Sequence, residues 1–381
     1  MRAFLRSGTL RFDVIRFFWA VLAALLVQTA ASAQDHNNST VAPAGNTQLW
    51  TVSVEAVVLE RTSGAKRTLV ERVPGTVPFY APAPLYDTAN APGTEALNSA
   101  GLHHGFSVGP KVRLTYHDVS GYGAELVYFN TFDERTTRTI GPDDPADWLV
   151  MKAPGTFWQT QDFPYQAMAW SSATSLYSAE LNGRRDFSLG VTLLAGFRWL
   201  QLNDELEGSV TPADRTVPTW KLTCPVCDLY HVTESATPGG NYPPFWTTHT
   251  TNNLYGVQIG AAGTILQLGR FSFGGELKLG LFDNNAEQTT GVSMRKQIFP
   301  SHSATNRAAF AGDTGLQLEY QILEALALRA GYQALWFGGV ALAPGQIQET
   351  STSQTTVRTL GVNRGSNVLF HGATLGLKYS F

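Results

Sequence analysis

Leu369 to Phe381 reads LFHGATLGLKYSF. Leu369, Ala373, Leu375, Leu377, Tyr379 and Phe381 form one row of alternate residues. Gly372, Thr374, Gly376, Lys378 and Ser380 form the other. Alternate apolar and polar residues read as a β-strand with one face in an apolar medium and one in a polar one. His371 interrupts the apolar row near one end, where a polar group costs less than at mid-membrane.

The pattern recurs upstream. Phe106, Val108, Pro110, Val112, Leu114 and Tyr116 alternate with Ser107, Gly109, Lys111, Arg113 and Thr115. Phe271, Phe273, Leu277, Leu279 and Leu281 alternate with Ser272, Gly274, Glu276, Lys278 and Gly280. Leu326, Leu328, Ala330, Tyr332, Ala334 and Trp336 alternate with Arg329, Gly331 and Gln333. Ten such strands are expected, near 49–60, 104–116, 121–132, 175–185, 187–202, 253–267, 271–283, 309–321, 325–337 and 367–381. Each reaches the 9–11 residues that a tilted membrane strand needs.

Connections sort into short ones, around Asp118–Ser120, Asp186, Leu268–Arg270 and Ile322–Glu324, and long ones, 61–103, 133–174, 203–252, 284–308 and 338–366. They alternate strictly. That layout predicts an all-β, transmembrane, antiparallel up-and-down β-barrel of about ten strands, with short periplasmic turns and long outer loops. Twelve strands is the alternative if the long connections add a pair. Aromatics fall at both expected interfaces. Trp50, Tyr116, Tyr122, Phe187, Phe271, Tyr320, Tyr379 and Phe381 lie at the inner one. Phe106, Tyr128, Tyr177, Trp199, Tyr255, Phe310 and Trp336 lie at the outer one. A soluble β-sandwich is the rival, but it requires neither two girdles nor alternating connection lengths.

The N-terminus reads as an export signal. Arg2, Arg6, Arg11 and Arg16 precede the apolar run Phe17–Val27, and Ala31-Ser32-Ala33 offers a cleavage site. The run is too short for a helical span. The expected division is signal peptide 1–33, a short periplasmic segment 34–48 and a barrel 49–381. Losing 1–33 removes four Arg and Asp13, taking the formal charge from −3 to −6. A mildly acidic chain gives no reason to expect a nucleic-acid partner. Charged residues are only 15%, against 36 glycines and 11% aromatics. That balance favours membrane β-structure over a soluble globule, in which about a quarter of residues are charged.

The inward register collects Lys111, Arg113, Arg184, Arg198, Lys278, Arg329 and Lys378 against Glu125, Glu180, Glu276, Asp313 and Glu319. These either line a channel that sorts solutes by charge or fill a narrow bore with ion pairs. Cys224 and Cys227, in Cys-Pro-Val-Cys, suit a local disulfide in an oxidising compartment. Metal binding with His231 is the alternative, without a clear fourth ligand. The acidic clusters Asp143, Asp144, Asp147 and Asp204, Glu205, Glu207 are either divalent-cation sites or solvated loop charge. No nucleophile elbow or phosphate-binding loop is present, so no catalytic residue and no cofactor is expected.

Leu189–Leu202, Asn253–Gly260, Ala330–Gln346 and His371–Phe381 resemble the β-barrel porin-7 family of bacterial outer membranes. The stretches ALAPGQ and HGATLGL are the most specific parts of that resemblance. It implies a porin-like outer-membrane barrel and supplies no catalytic residue. Tyr379-Ser380-Phe381 also resembles the terminal signal read by the barrel-assembly machinery. The expectation is passive diffusion of small hydrophilic solutes through a polar lumen, with outer-membrane lipid and the assembly machinery as partners. A plugged structural or adhesive barrel acting through its outer loops is the alternative.

Overall fold

A computed structural model describes residues 49–381 apart from 63, 65, 74–92, 142, 145–146, 152–164, 188–189, 213–216, 225–228, 237–245, 295–296 and 353–356. The expected signal peptide and the segment 34–48 lie outside the described residues.

Ten strands form one closed antiparallel barrel. They are β1 (Trp50–Arg61), β2 (Phe106–His117), β3 (Tyr122–Ile140), β4 (Tyr165–Phe187), β5 (Val191–Pro212), β6 (Trp246–Leu268), β7 (Phe271–Met294), β8 (Gln297–Gln321), β9 (Leu326–Val340) and β10 (Ser366–Ser380). Each strand pairs with its neighbours in the chain, and β1 closes the ring on β10. At that seam Thr51 lies opposite Ser380 and Arg61 opposite Phe370. Trp50 N–H donates to the Phe381 carbonyl (3.0 Å), and Phe381 N–H donates to the Trp50 carbonyl (2.8 Å). Closure leaves no sheet edge, so backbone donors and acceptors around the ring have partners.

The alternation sorts side chains to two sides of the wall. Val257, Ile259, Leu277, Leu279, Leu281, Leu316 and Leu318 point outward and are 44–67% exposed. A continuous apolar belt of this kind is stable against hydrocarbon and a liability in water. One polar group on it is matched: the Tyr332 hydroxyl lies 2.8 Å from His371 Nδ1, with both residues outward on adjacent strands. Aromatic contacts gather at the short-turn end, where Trp50 meets Tyr116 (4.9 Å between centroids), Phe271 meets Tyr320 (4.8 Å) and Tyr379 meets Phe381 (5.8 Å).

The short turns are built by local chemistry. The Asp118 carboxylate accepts the Ser120 N–H (2.7 Å) and the Tyr122 N–H (3.2 Å), and Gly121 takes φ of +82°. An Asx turn closed by a left-handed glycine reverses the chain tightly. The connection placed at Asp186 lies later. Asp186 and Phe187 still belong to β4, and β5 starts at Val191 rather than 187.

The main difference lies at the other end. β3 to β8 continue well past the expected strand ends. The stretch 284–308, expected as a loop, is the upper part of the β7–β8 hairpin, paired from Asn284↔Arg307 to Met294↔Gln297. Above the belt the outward face meets water, so Asp283, Asn285, Glu287 and Thr289 are as favourable there as leucine is below. The strand continues while the contrast that marks it disappears. Added strands in the long connections do not enlarge the ring to twelve. They form small separate sheets: Thr68–Val73 with Thr94–Asn98 and Trp148–Met151, Val217–Cys224 with Leu229–Ala236, and Thr350–Thr352 with Val357–Thr359.

The seam carries two glycines that admit no side chain. A Cβ at Gly372 would lie 2.0 Å from the Val58 carbonyl oxygen, and one at Gly376 would lie 2.1 Å from that of Val54. Gly376→Ala is therefore expected to destabilise the closed barrel by about 1–3 kcal/mol. Gly183→Ala, whose Cβ would meet nothing nearer than 3.6 Å, should be tolerated. Urea titration of detergent-folded protein, read by heat-modifiable gel mobility, checks the difference.

Candidate functional site

The bore is filled in layers, each built from one or two successive inward positions on the strands that supply it. At the short-turn end the wall is hydrophilic and encloses a cavity of about 210 Å³. Next comes a lattice of charges. Lys278 Nζ reaches Glu276 (2.6 Å), Glu180 (2.8 Å) and Glu125 (3.4 Å). Arg113 meets Glu276 at 2.8 Å and Glu125 at 3.4 Å, and Arg184 meets Glu125 at 2.9 Å. Arg198 bridges Asp313 (3.1 Å) and Glu180 (3.3 Å). Arg329 holds Glu55 (3.1 Å) and Glu319 (3.6 Å), and Lys378 also holds Glu319 (2.8 Å). Lys111 donates to Gln333 (2.9 Å), whose amide donates to Asp313. Glu125, Glu180, Arg198 and Lys278 are each at most 3% exposed. The cavity inside the lattice holds only about 30 Å³.

Above the lattice the inward residues are apolar. Val57, Leu59, Phe129, Leu176, Leu200, Leu202, Leu254, Phe282, Leu335, Phe337, Val368 and Phe370 pack into one buried cluster across the bore. A lumen polar along its whole length is thus not what these residues build. The inward position alternates with Tyr128, Trp199 or Trp336 outside it, so both rows of each strand are apolar at this depth.

A strap closes the bore above that layer. The chain turns inward at Gly339 (φ +82°), at the end of β9, and runs into a short helix, Ala343–Glu349. Inward side chains hold its backbone. Asn252 donates to the Ala341 carbonyl and accepts the Ala341 N–H, both at 2.7 Å. Thr250 donates to the same carbonyl (3.2 Å), and Asn284 donates to that of Gly339 (3.3 Å). Asp204 accepts the Ala343 N–H (2.8 Å) and pairs with Arg61, and both are buried. Gln346 ties the helix to Asn363 in both directions (2.7 and 2.8 Å). The stretch ALAPGQ is therefore the plug itself.

Over the strap sits a folded head. Leu69, Val70, Leu97, Leu149, Met151, Met168, Trp170, Leu206, Trp246 and Val292 form its core, together with Ala343 and Ile347 of the strap. His104 lies here, with Nε2 3.4 Å from the Ser172 hydroxyl. Burial, reinforced by the Arg61 guanidinium, pushes its imidazole down to about 4, so it is neutral at neutral pH. The space beside it is about 10 Å³, too small for a substrate.

The lumen residues named from sequence all face the bore, and the lattice brings them together. Trp50, Phe106, Tyr122, Tyr128, Phe187, Phe271, Trp336 and Phe381 are exposed on the outer wall, with Tyr116, Trp199, Tyr320 and Tyr379 half-covered beside them. The acidic cluster 204–207 is not one site. Asp204 points inward to Arg61, whereas Glu205 and Glu207 point outward to Arg135 at 2.9 and 4.0 Å. Alternation along β5 splits it. Asp143 pairs with Arg72 (2.6 Å), and among the described residues no three His, Cys, Asp or Glu side chains are grouped to hold a metal ion. Cys224 ends an outer strand; its side chain and Cys227 lie outside the described residues, and so does their expected disulfide. Glu55, Arg61, Thr250, Asn252 and Asn284 were not singled out in sequence, and Asp204 was read only as part of an acidic cluster. Glu55 stands among valines on both rows of β1, so period two gives no contrast there; its place opposite Gly376 supplies the signal.

No protein-family model and no curated protein matches the chain. The resemblance to the β-barrel porin-7 family thus has no family match behind it. Among solved structures, the outer membrane protease OmpT from Escherichia coli is 11% identical with a TM-score of 0.45, over 90% of this chain and 100% of that one. The translocator domain of the autotransporter NalP from Neisseria meningitidis is 9% identical (TM-score 0.33, over 97% and 99%). The toluene transporter TbuX from Ralstonia pickettii is also 9% identical (TM-score 0.30, over 88% and 90%). Likenesses this slight carry no argument about this chain, whose fold rests on its own hydrogen-bonded ring.

Lys278→Met removes the cation shared by the buried Glu125 and Glu180 and the part-buried Glu276. It is expected to cost about 3–5 kcal/mol, the penalty of stranding a buried charge. Urea unfolding in detergent measures it, and an unchanged midpoint would show that the lattice is not desolvated.

Proposed function

We propose that this chain is a sealed barrel of the bacterial outer membrane, with its termini and short turns in the periplasm, acting through the folded head on its loop end. The observation that carries this reading is the strap: a segment folded into the bore, hydrogen-bonded to inward side chains above a buried apolar layer. The lipid-facing belt and its aromatic rims support the membrane placement, and the mixture of short turns with tall loop-end strands supports the orientation. Export by the N-terminal segment and assembly through the last strand belong to the same proposal. The bore is then a structural core, as expected for a barrel close to the eight-stranded size that side chains just fill. The head shares a buried core with the loop-end parts of β4 to β7 and with the strap, which fixes the surfaces built on it.

Passive diffusion of small hydrophilic solutes is the competing reading, and electrical recording separates the two. Purified barrel added to a planar bilayer is expected to give no discrete conductance steps across voltage and salt. Regular steps from the unmodified chain would return the diffusion reading to first place.

A further inference from the structure

The cavity at the short-turn end lies inside the wall. At about 210 Å³ it far exceeds the roughly 10–15 Å³ that a single water needs. Its charge is one-sided. Arg113, Arg184, Arg329 and Lys378 line it, and Glu319 is the carboxylate among its lining residues. The other carboxylates that hold these cations, Glu55, Glu125 and Glu276, belong to the lattice behind and do not line the cavity. The arginines are therefore anchored from the deep side while their side chains line the cavity. Arg113 and Arg184 each also keep a buried Nε–H with no hydrogen-bond partner, so their donor capacity is not used up. Such a cation-rich, walled cavity focuses potential and concentrates anions, and guanidinium forks match the geometry of phosphate and carboxylate oxygens.

We propose that this cavity binds a small polyvalent oxyanion entering from the short-turn end. Lys378 is its most accessible cation, with a side chain 32% exposed, and shares Glu319 with Arg329 on the neighbouring strand. Gln317 and the hydroxyls of Thr51, Ser53 and Ser272 surround the same space and complete a polar cradle. The site is independent of what the head does. It would be occupied whatever the head binds, since the lattice and the apolar layer separate the two ends of the bore.

The test is calorimetric titration of full-length, detergent-folded protein with inorganic phosphate and, separately, with succinate, at constant ionic strength. Saturable binding of one anion per barrel is expected, with the tighter of the two probes naming the ligand chemistry. Lys378→Glu should weaken that binding by about tenfold or more, the scale of one charged hydrogen bond. Arg185→Gln removes a neighbouring cation that stacks on Tyr122 on the outer wall (3.9 Å), and should leave binding unchanged. Heat-modifiable mobility establishes that both variants are folded. Absence of saturable binding by either anion, or equal losses in the two variants, would overturn the proposal.

Discussion

The constraint on which the structure depends is the closure of β1 on β10. In hydrocarbon there is no water to satisfy an open strand edge, and each unmet backbone group costs several kcal/mol. The ring must therefore close, and it does so through a register that runs from Thr51↔Ser380 to Arg61↔Phe370. Close approach at Gly372 and Gly376 lets the two strands meet. Ten strands then fix a bore near the size that side chains can fill, and the rest of the interior follows from that width.

The filling divides its work by depth. Burying paired charges gives little net stability, because desolvation consumes much of the attraction. The apolar layer and the backbone ladder supply the stability, while the lattice makes the arrangement specific. Glu125 on β3 meets Arg113 on β2, Arg184 on β4 and Lys278 on β7, so one carboxylate joins neighbouring strands and spans the bore. Slipping any of these strands by one residue would turn its charges toward lipid. At the loop end, Asn252, Asp204 and Asn284 hold the strap by its backbone, the one kind of contact that does not depend on the strap's side chains.

Strand number, direction, ring closure and the inward charges were legible because a membrane barrel writes them as period two. Where lipid ends, the writing ends too. β7 beyond Asp283 carries polar residues on its outer face, so a continuous hairpin looks like a loop. Where the bore is apolar, as at Leu335 and Phe337 beside Trp336, both faces look alike and the inner layer goes unseen. The strap was visible only as an unusual run, ALAPGQ. Its role needs Asn252, 89 residues away in the chain, and no local pattern records that contact.

Taken together, these layers describe a barrel that is closed, occupied and built outward. The central claim is that its middle is dry. Single cysteines placed at Ala309, buried in the apolar layer, and at Ala262, on the wall of the turn-end cavity, test it in a chain whose Cys224 and Cys227 are serine. With a small water-soluble thiol reagent and folded protein, the Ala262→Cys variant should label and the Ala309→Cys variant should stay unreactive until the barrel is unfolded. Labelling of both at similar rates would mean that water runs through the bore, and would contradict the account.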